Sequence, residues 1–208
     1  LEKSVNKIRE SGVKAGFKLR IGNPFHGIRS IIEEENAYFV IMGTQGHSRW
    51  EEMVIGSNTE KVIRHSKCPV LTIKRKPSSA DFKNLAVAVS LLDEEEPLTG
   101  LFRDLQKAYD AVLNLVWINT PITFQSDGKS LELLQKFADK KHLKNYTLNV
   151  YNDYSVEEGI LNFSVLNNVD LIAMVTHKRS SFAHVLAGGI RSRVSRNTTR
   201  PVLTWLVD

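Results

Sequence analysis

At 208 residues, 42% hydrophobic and 25% charged, the chain has the composition of a folded protein with room for one large or two small domains. Its apolar runs are far shorter than the roughly 20 residues that span a bilayer, and no charged-then-apolar signal opens it, so no membrane role and a cytoplasmic location are expected. The formal charge of +5 would permit polyanion binding, but the basic residues are scattered through both halves, so nucleic acid is not an expected partner.

In chain order, Leu1 to Ser11 predicts a helix with Leu1, Val5 and Ile8 on one face, followed by a strand at Phe17 to Ile21. Gly27 to Glu35 predicts a second helix through Ile28, Ile31 and Ile32, and Tyr38 to Met42 a second strand. A helix from Thr59 to His65 and a strand from Val70 to Ile73 close the first part. Lys74 to Lys83, with Pro77, two serines and dense charge, reads as a break. The domain expectation is therefore residues 1–76, a linker at 77–83, and a second domain at 84–208. Strands at Leu85 to Val89, Val112 to Ile118, Thr147 to Tyr151, Leu171 to Val175 and Val202 to Leu206 follow, with an amphipathic helix at Leu131 to Lys141 among their connections. Alternating strands and helices call for a parallel sheet with crossover helices. Continuous apolar runs such as Leu171-Ile172-Ala173-Met174 fit strands covered on both faces.

The single Cys68 forms no internal disulfide, and its place before Pro69 at a strand start reads as structural. Six histidines include no H-x-x-H pair, so no metal-ligand spacing stands out.

The segment Met42 to Ile73 carries the chemistry. At the end of its strand the chain turns through Gly43-Thr44-Gln45-Gly46, then reaches Gly56-Ser57-Asn58 at a helix start. Ligands of open parallel sheets bind beyond the carboxyl ends of strands. Glycine there removes the Cβ that would keep a phosphate from the backbone, while a helix N-terminus presents unsatisfied N–H groups and a favourable dipole. The spacing is neither G-x-G-x-x-G nor the Walker pattern.

A diluted copy of the segment recurs at Met174 to Trp205. Aligned without a gap from Pro69 onto Pro201, Gly43 becomes Val175, Gly46 becomes Lys178 and Ser57 becomes Gly189, while Gly56 is kept as Gly188. Added side chains would intrude where phosphates should lie, so the second copy is expected not to bind in the same manner. Lys178, Arg179, Arg191, Arg193 and Arg196 could gather a different anion there, or form an ordinary solvated basic face. The helix Leu1 to Ser11 corresponds to Leu131 to Lys141, so the strand, helix and strand that open the second copy have no counterpart in the first. The first domain is expected to be incomplete in this chain.

The stretch GTQGHSRWEEMVIGSNTEKVIRHSKCPVLTIK resembles the ATP-binding signature of the universal stress protein family. The resemblance covers the chain as two tandem domains, the first incomplete. It implies an α/β fold of the adenine nucleotide alpha hydrolase-like kind, with an open, mainly parallel five-stranded sheet and helices on both faces. It assigns Gly43, Gly46, Gly56, Ser57 and Asn58, with Met42 adjoining, to the ribose and phosphates of ATP, with room for Mg²⁺. The family's adenine-contacting Asp position is occupied by Ser90 in the second copy. Family domains pair along their last strands, which here would join Val70 to Ile73 with Val202 to Trp205 inside one chain and leaves room for a homodimer.

Three functions follow in outline. The first is an adenine-nucleotide-binding protein of stress response or signalling, the second a tandem scaffold acting through protein interactions without nucleotide. The third is a slow ATPase, but His47-Ser48-Arg49 lack a group to orient them, and Glu51 and Glu52 form no evident catalytic pair, so turnover is not expected as the main task.

Overall fold

The structure, a computed structural model, describes residues 1–43, 57–75, 81–89, 99–177, 194 and 198–207. Its first part holds helices α1 (Glu2–Glu10), α2 (Pro24–Glu34) and α3 (Ser57–His65) with strands β1 (Val40–Gly43) and β2 (Val70–Ile73). Its second part holds strands β3 (Asn84–Ala88), β4 (Val112–Asn119), β5 (Tyr146–Asn152), β6 (Leu171–His177) and β7 (Val202–Val207). Three described helices connect them: α4 (Thr99–Tyr109), α5 (Asp127–Lys140) and α6 (Val156–Leu166).

Local signals explain several boundaries. Asn23 caps α2, its side-chain oxygen accepting from the amides of Phe25 at 3.0 Å and His26 at 3.3 Å, with Pro24 pre-set at the first helical position. Ser155 caps α6 by accepting from the Glu158 amide at 3.2 Å. Asp170 ties the starts of β3 and β6 together, one carboxylate oxygen accepting from the amides of Lys83 at 3.1 Å and Asn84 at 2.8 Å.

All seven strands form one sheet in the order β1-β2-β7-β6-β3-β4-β5. Neighbours run parallel except β2 and β7, which run antiparallel with Leu71 opposite Leu203. Five of the sheet's seven strands come from the second part, as the expected five-stranded set, and β2 brings β1 with it onto the free edge of β7.

Both faces of the central strands are covered, which is why those strands read as unbroken apolar runs. On one face Leu85, Val87, Leu113, Leu115 and Leu171 pack with Phe102 of α4 and Leu134 and Ala138 of α5. On the other, Ala86, Val116, Ile118, Ile172 and Met174 pack with Ile160 and Phe163 of α6. A third cluster sets Val62 and Ile63 of α3 on Val70 of β2, with Phe25, Ile28, Val40 and Met42 against them.

The expected strand at Phe17 to Ile21 is not formed. A strand requires a ladder partner, and no described residue pairs with this segment. It instead lies beside α2, where Arg20 and Lys18 form ion pairs with Glu34, at 2.5 Å and 3.3 Å, and Lys18 also meets Glu35. Phe17, Leu19 and Ile21 are left exposed.

Candidate functional site

β1 delivers Met42 and Gly43 to the carboxyl end of the sheet, where Gly43 stands opposite Ile73 of β2. Strand alternation separates their roles. Met42 is turned inward and packs on the cluster of Val62, Ile63 and Val70, so it supports the floor of the site. Gly43 faces outward and is exposed.

Glycine at position 43 is not demanded by the fold. Its φ is not in the left-handed region, and a Cβ built there meets no described atom within 4 Å.

The first turn of α3 lies beside it. The Thr59 hydroxyl donates to the Gly43 carbonyl at 3.3 Å, joining the strand end to the helix start. Thr59 is buried, Ser57 is exposed and Asn58 is half-buried. The amino end of a nine-residue helix and an unobstructed strand terminus thus meet at one place. Glu60 is the one acidic side chain in that first turn, and it forms an ion pair with Arg64 at 2.6 Å, which offsets its repulsion toward an incoming anion.

Of the residues expected at the site, Gly43 ends β1 and is joined to α3 by the Thr59 hydrogen bond, Ser57 and Asn58 open α3, and Met42 packs against the cluster of Val62, Ile63 and Val70. Gly46 and Gly56 lie outside the described residues, as do His47, Ser48, Arg49, Glu51 and Glu52. In the second copy, Ser90, Lys178, Arg179, Gly188, Gly189, Arg191, Arg193 and Arg196 also lie outside them, and of Val175 only the β6 backbone is described. Thr59 is the residue that sequence reading passed over. The available signal was the run Ser57-Asn58-Thr59 at a helix start, where a hydroxyl so close to the N-terminus commonly bonds to backbone. Among the described residues no group of three His, Cys, Asp or Glu is arranged to hold a metal ion, and no helix is long and apolar enough to cross a membrane. Cys68 is buried, its amide donating to the Ser66 hydroxyl at 3.3 Å.

A mostly parallel sheet layered by helices defines an α/β protein. Residues 2–74 match the model of the universal stress protein family. A universal stress protein of Methanocaldococcus jannaschii is 38% identical over 84 residues, covering 37% of this chain and 52% of that protein. The protein YxiE of Bacillus subtilis, also a universal stress protein, is 35% identical over 74 residues, covering 36% of this chain and 50% of its own. The match therefore spans about half the length of these relatives. The crystal structure of a universal stress protein from Archaeoglobus fulgidus superposes with a TM-score of 0.76 over 99% of this chain and 74% of that one. At 20% identity this speaks for the fold alone. Over residues 2–74 the chain is thus similar to the universal stress protein family.

Proposed function

We propose that this protein binds an adenine nucleotide, ATP in the first instance, at the carboxyl end of β1, and serves in stress response or signalling through the bound state. The observation that carries the reading is Gly43. Neither its backbone conformation nor its contacts with the described residues call for glycine, and it stands beside the amino end of α3, where an added Cβ would face a phosphate drawn to that helix. The α3 amides at Ser57 and Asn58, with the Ser57 hydroxyl, would hold the phosphates by donating to their oxygens. Met42 would support the site from below. Gly46 and Gly56 take their part in the cradle from the sequence pattern. The nucleotide supplies the phosphate charge that the helix terminus attracts, and Mg²⁺, if it accompanies ATP, would be held through the phosphates.

Calorimetric titration of the protein with ATP, beside its Gly43→Val variant, tests this. The variant copies the residue found at the corresponding position 175 and suits a strand, so the fold is retained. Affinity is expected to fall at least about tenfold, equivalent to roughly 1.4 kcal/mol. Unchanged affinity in a folded variant would overturn the phosphate assignment and leave the scaffold reading.

A further inference from the structure

We propose that the protein carries a second anion site, for a compact oligophosphate, in the cleft between α4 and the turn leading from α5 into β5. The cleft has a volume of about 640 Å³ and is lined by Arg103, Gln106, Lys107, Asp110, His142, Lys144 and Asn145. It sits where β4 and β5 begin. Since β4 is five positions from β1 in the sheet order, the cleft lies about 24 Å across the sheet from Gly43, at about 4.8 Å per strand. It is independent of the nucleotide reading.

The walls are fixed by hydrogen bonds that leave cations unused. Arg103 Nη2 donates to the Lys141 carbonyl at 2.9 Å. Gln106 Nε2 donates to the carbonyls of Asn145 at 3.1 Å and Ala111 at 3.3 Å, and also to that of Lys144. Asn145 Nδ2 donates to the Ala111 carbonyl at 2.9 Å. These bonds matter twice. They hold α4 against the opposite wall, and they occupy the carbonyls of Ala111, Lys141, Lys144 and Asn145, whose lone pairs would otherwise oppose an anion nearby.

Lys107 and Lys144 are not consumed in this capping. Neither ammonium has a hydrogen bond or ion pair among the described residues, nor does the His142 ring, and Arg103 keeps donors beyond the one committed to Lys141. Asp110 is the one carboxylate in the lining. Three permanent positive charges against one negative, in a preformed concavity, raise the local potential for multivalent anions. The volume falls in the range of small-molecule sites and is too small to seat a duplex. Planar guanidinium and mobile ammonium donors in one cleft suit phosphate oxygens.

Titration with sodium tripolyphosphate at low salt, followed by calorimetry and by phosphorus NMR, tests the assignment on three proteins: the parent, the Lys107→Glu/Lys144→Glu variant, and a Lys3→Glu/Lys7→Glu variant of α1 with the same net charge. The expected result is loss of one site, or at least about tenfold weaker binding, in the first variant alone. An equal effect in both variants would show general electrostatics and overturn the proposal. So would an unaltered titration of the first variant, or an oligonucleotide that binds the cleft more tightly than tripolyphosphate.

Discussion

Two glycines of this chain meet opposite surroundings, and substitution should separate them. Gly43 has no described atom within 4 Å of the place an added Cβ would occupy, so a side chain there perturbs an incoming ligand rather than the protein. Gly159 lies in α6 where it crosses β4, and a Cβ there would collide with Ile118 Cγ2 and stand 3.2 Å from Asp153 Cβ. Alanine would improve helix propensity by about 1 kcal/mol, but Ile118 is buried and its branched methyl has nowhere to retreat. Overpacking of that kind costs about 1–3 kcal/mol. Gly159→Ala is therefore expected to destabilise the fold by up to about 2 kcal/mol in urea unfolding, with no effect on ATP affinity. A stabilised variant would show that α6 does not seat on β4 as described.

At the scale of elements, α2 is held at its surface by carboxylates whose protonation can be followed. The Glu33 carboxyl is held below the usual 4.5 by hydrogen bonds from Lys67 and then Arg29, and that of Glu34 by Ser30, with Lys18 and Arg20 adding to it. A carboxylate whose value is lowered by folding contributes stability at higher pH, and that contribution is lost as pH falls through the folded-state value. The contacts of α2 with residues 18–20 and with Lys67 should thus hold at neutral pH and loosen below pH 4.5, ahead of the buried sheet. All these groups are exposed, so about 1 M NaCl should blunt the difference. Amide exchange at residues 18–20 and 67 against the centre of β4, measured across that pH range, checks this order; simultaneous loss of both would contradict it. The same region shows what was legible in the chain and what was not. Strands such as Leu171 to Met174 announced themselves because burial on both faces demands an unbroken apolar run. Phe17 to Ile21 carries an equally good strand pattern, but a strand is a property of a pair, and composition within the segment says nothing of whether a neighbour stands beside it. At the candidate site, the strand end near Gly43 and the helix start near Ser57 were legible in the pattern, whereas the Thr59 hydroxyl was not, because its bond to the Gly43 carbonyl joins residues sixteen apart through a tertiary approach.

For the whole molecule, the decisive joint is the antiparallel pairing of β2 with β7, which makes one sheet of strands from both parts. Hydroxyls stitch it in both directions: Thr72 donates to the Val202 carbonyl at 3.1 Å and Thr204 to the Val70 carbonyl at 3.3 Å. Leu71 and Leu203 beside them belong to the same core cluster as Leu85 and Phe102. Shared core and shared ladder predict that the two parts unfold together. Leu203→Ala should cost about 2–5 kcal/mol and lower the stability reported by amides of Val62 and of Leu115 alike. If only one part responds, the joint does not couple them. The proposed site draws on the first part, since Gly43, Ser57, Asn58 and Thr59 come from β1 and α3. The most direct measurement is an amide NMR titration of the protein with ATP. The amides of Gly43, Ser57 and Asn58 are expected to shift together at one stoichiometric equivalent. Shifts confined to other regions, with these three amides unmoved, would contradict nucleotide binding at the end of β1.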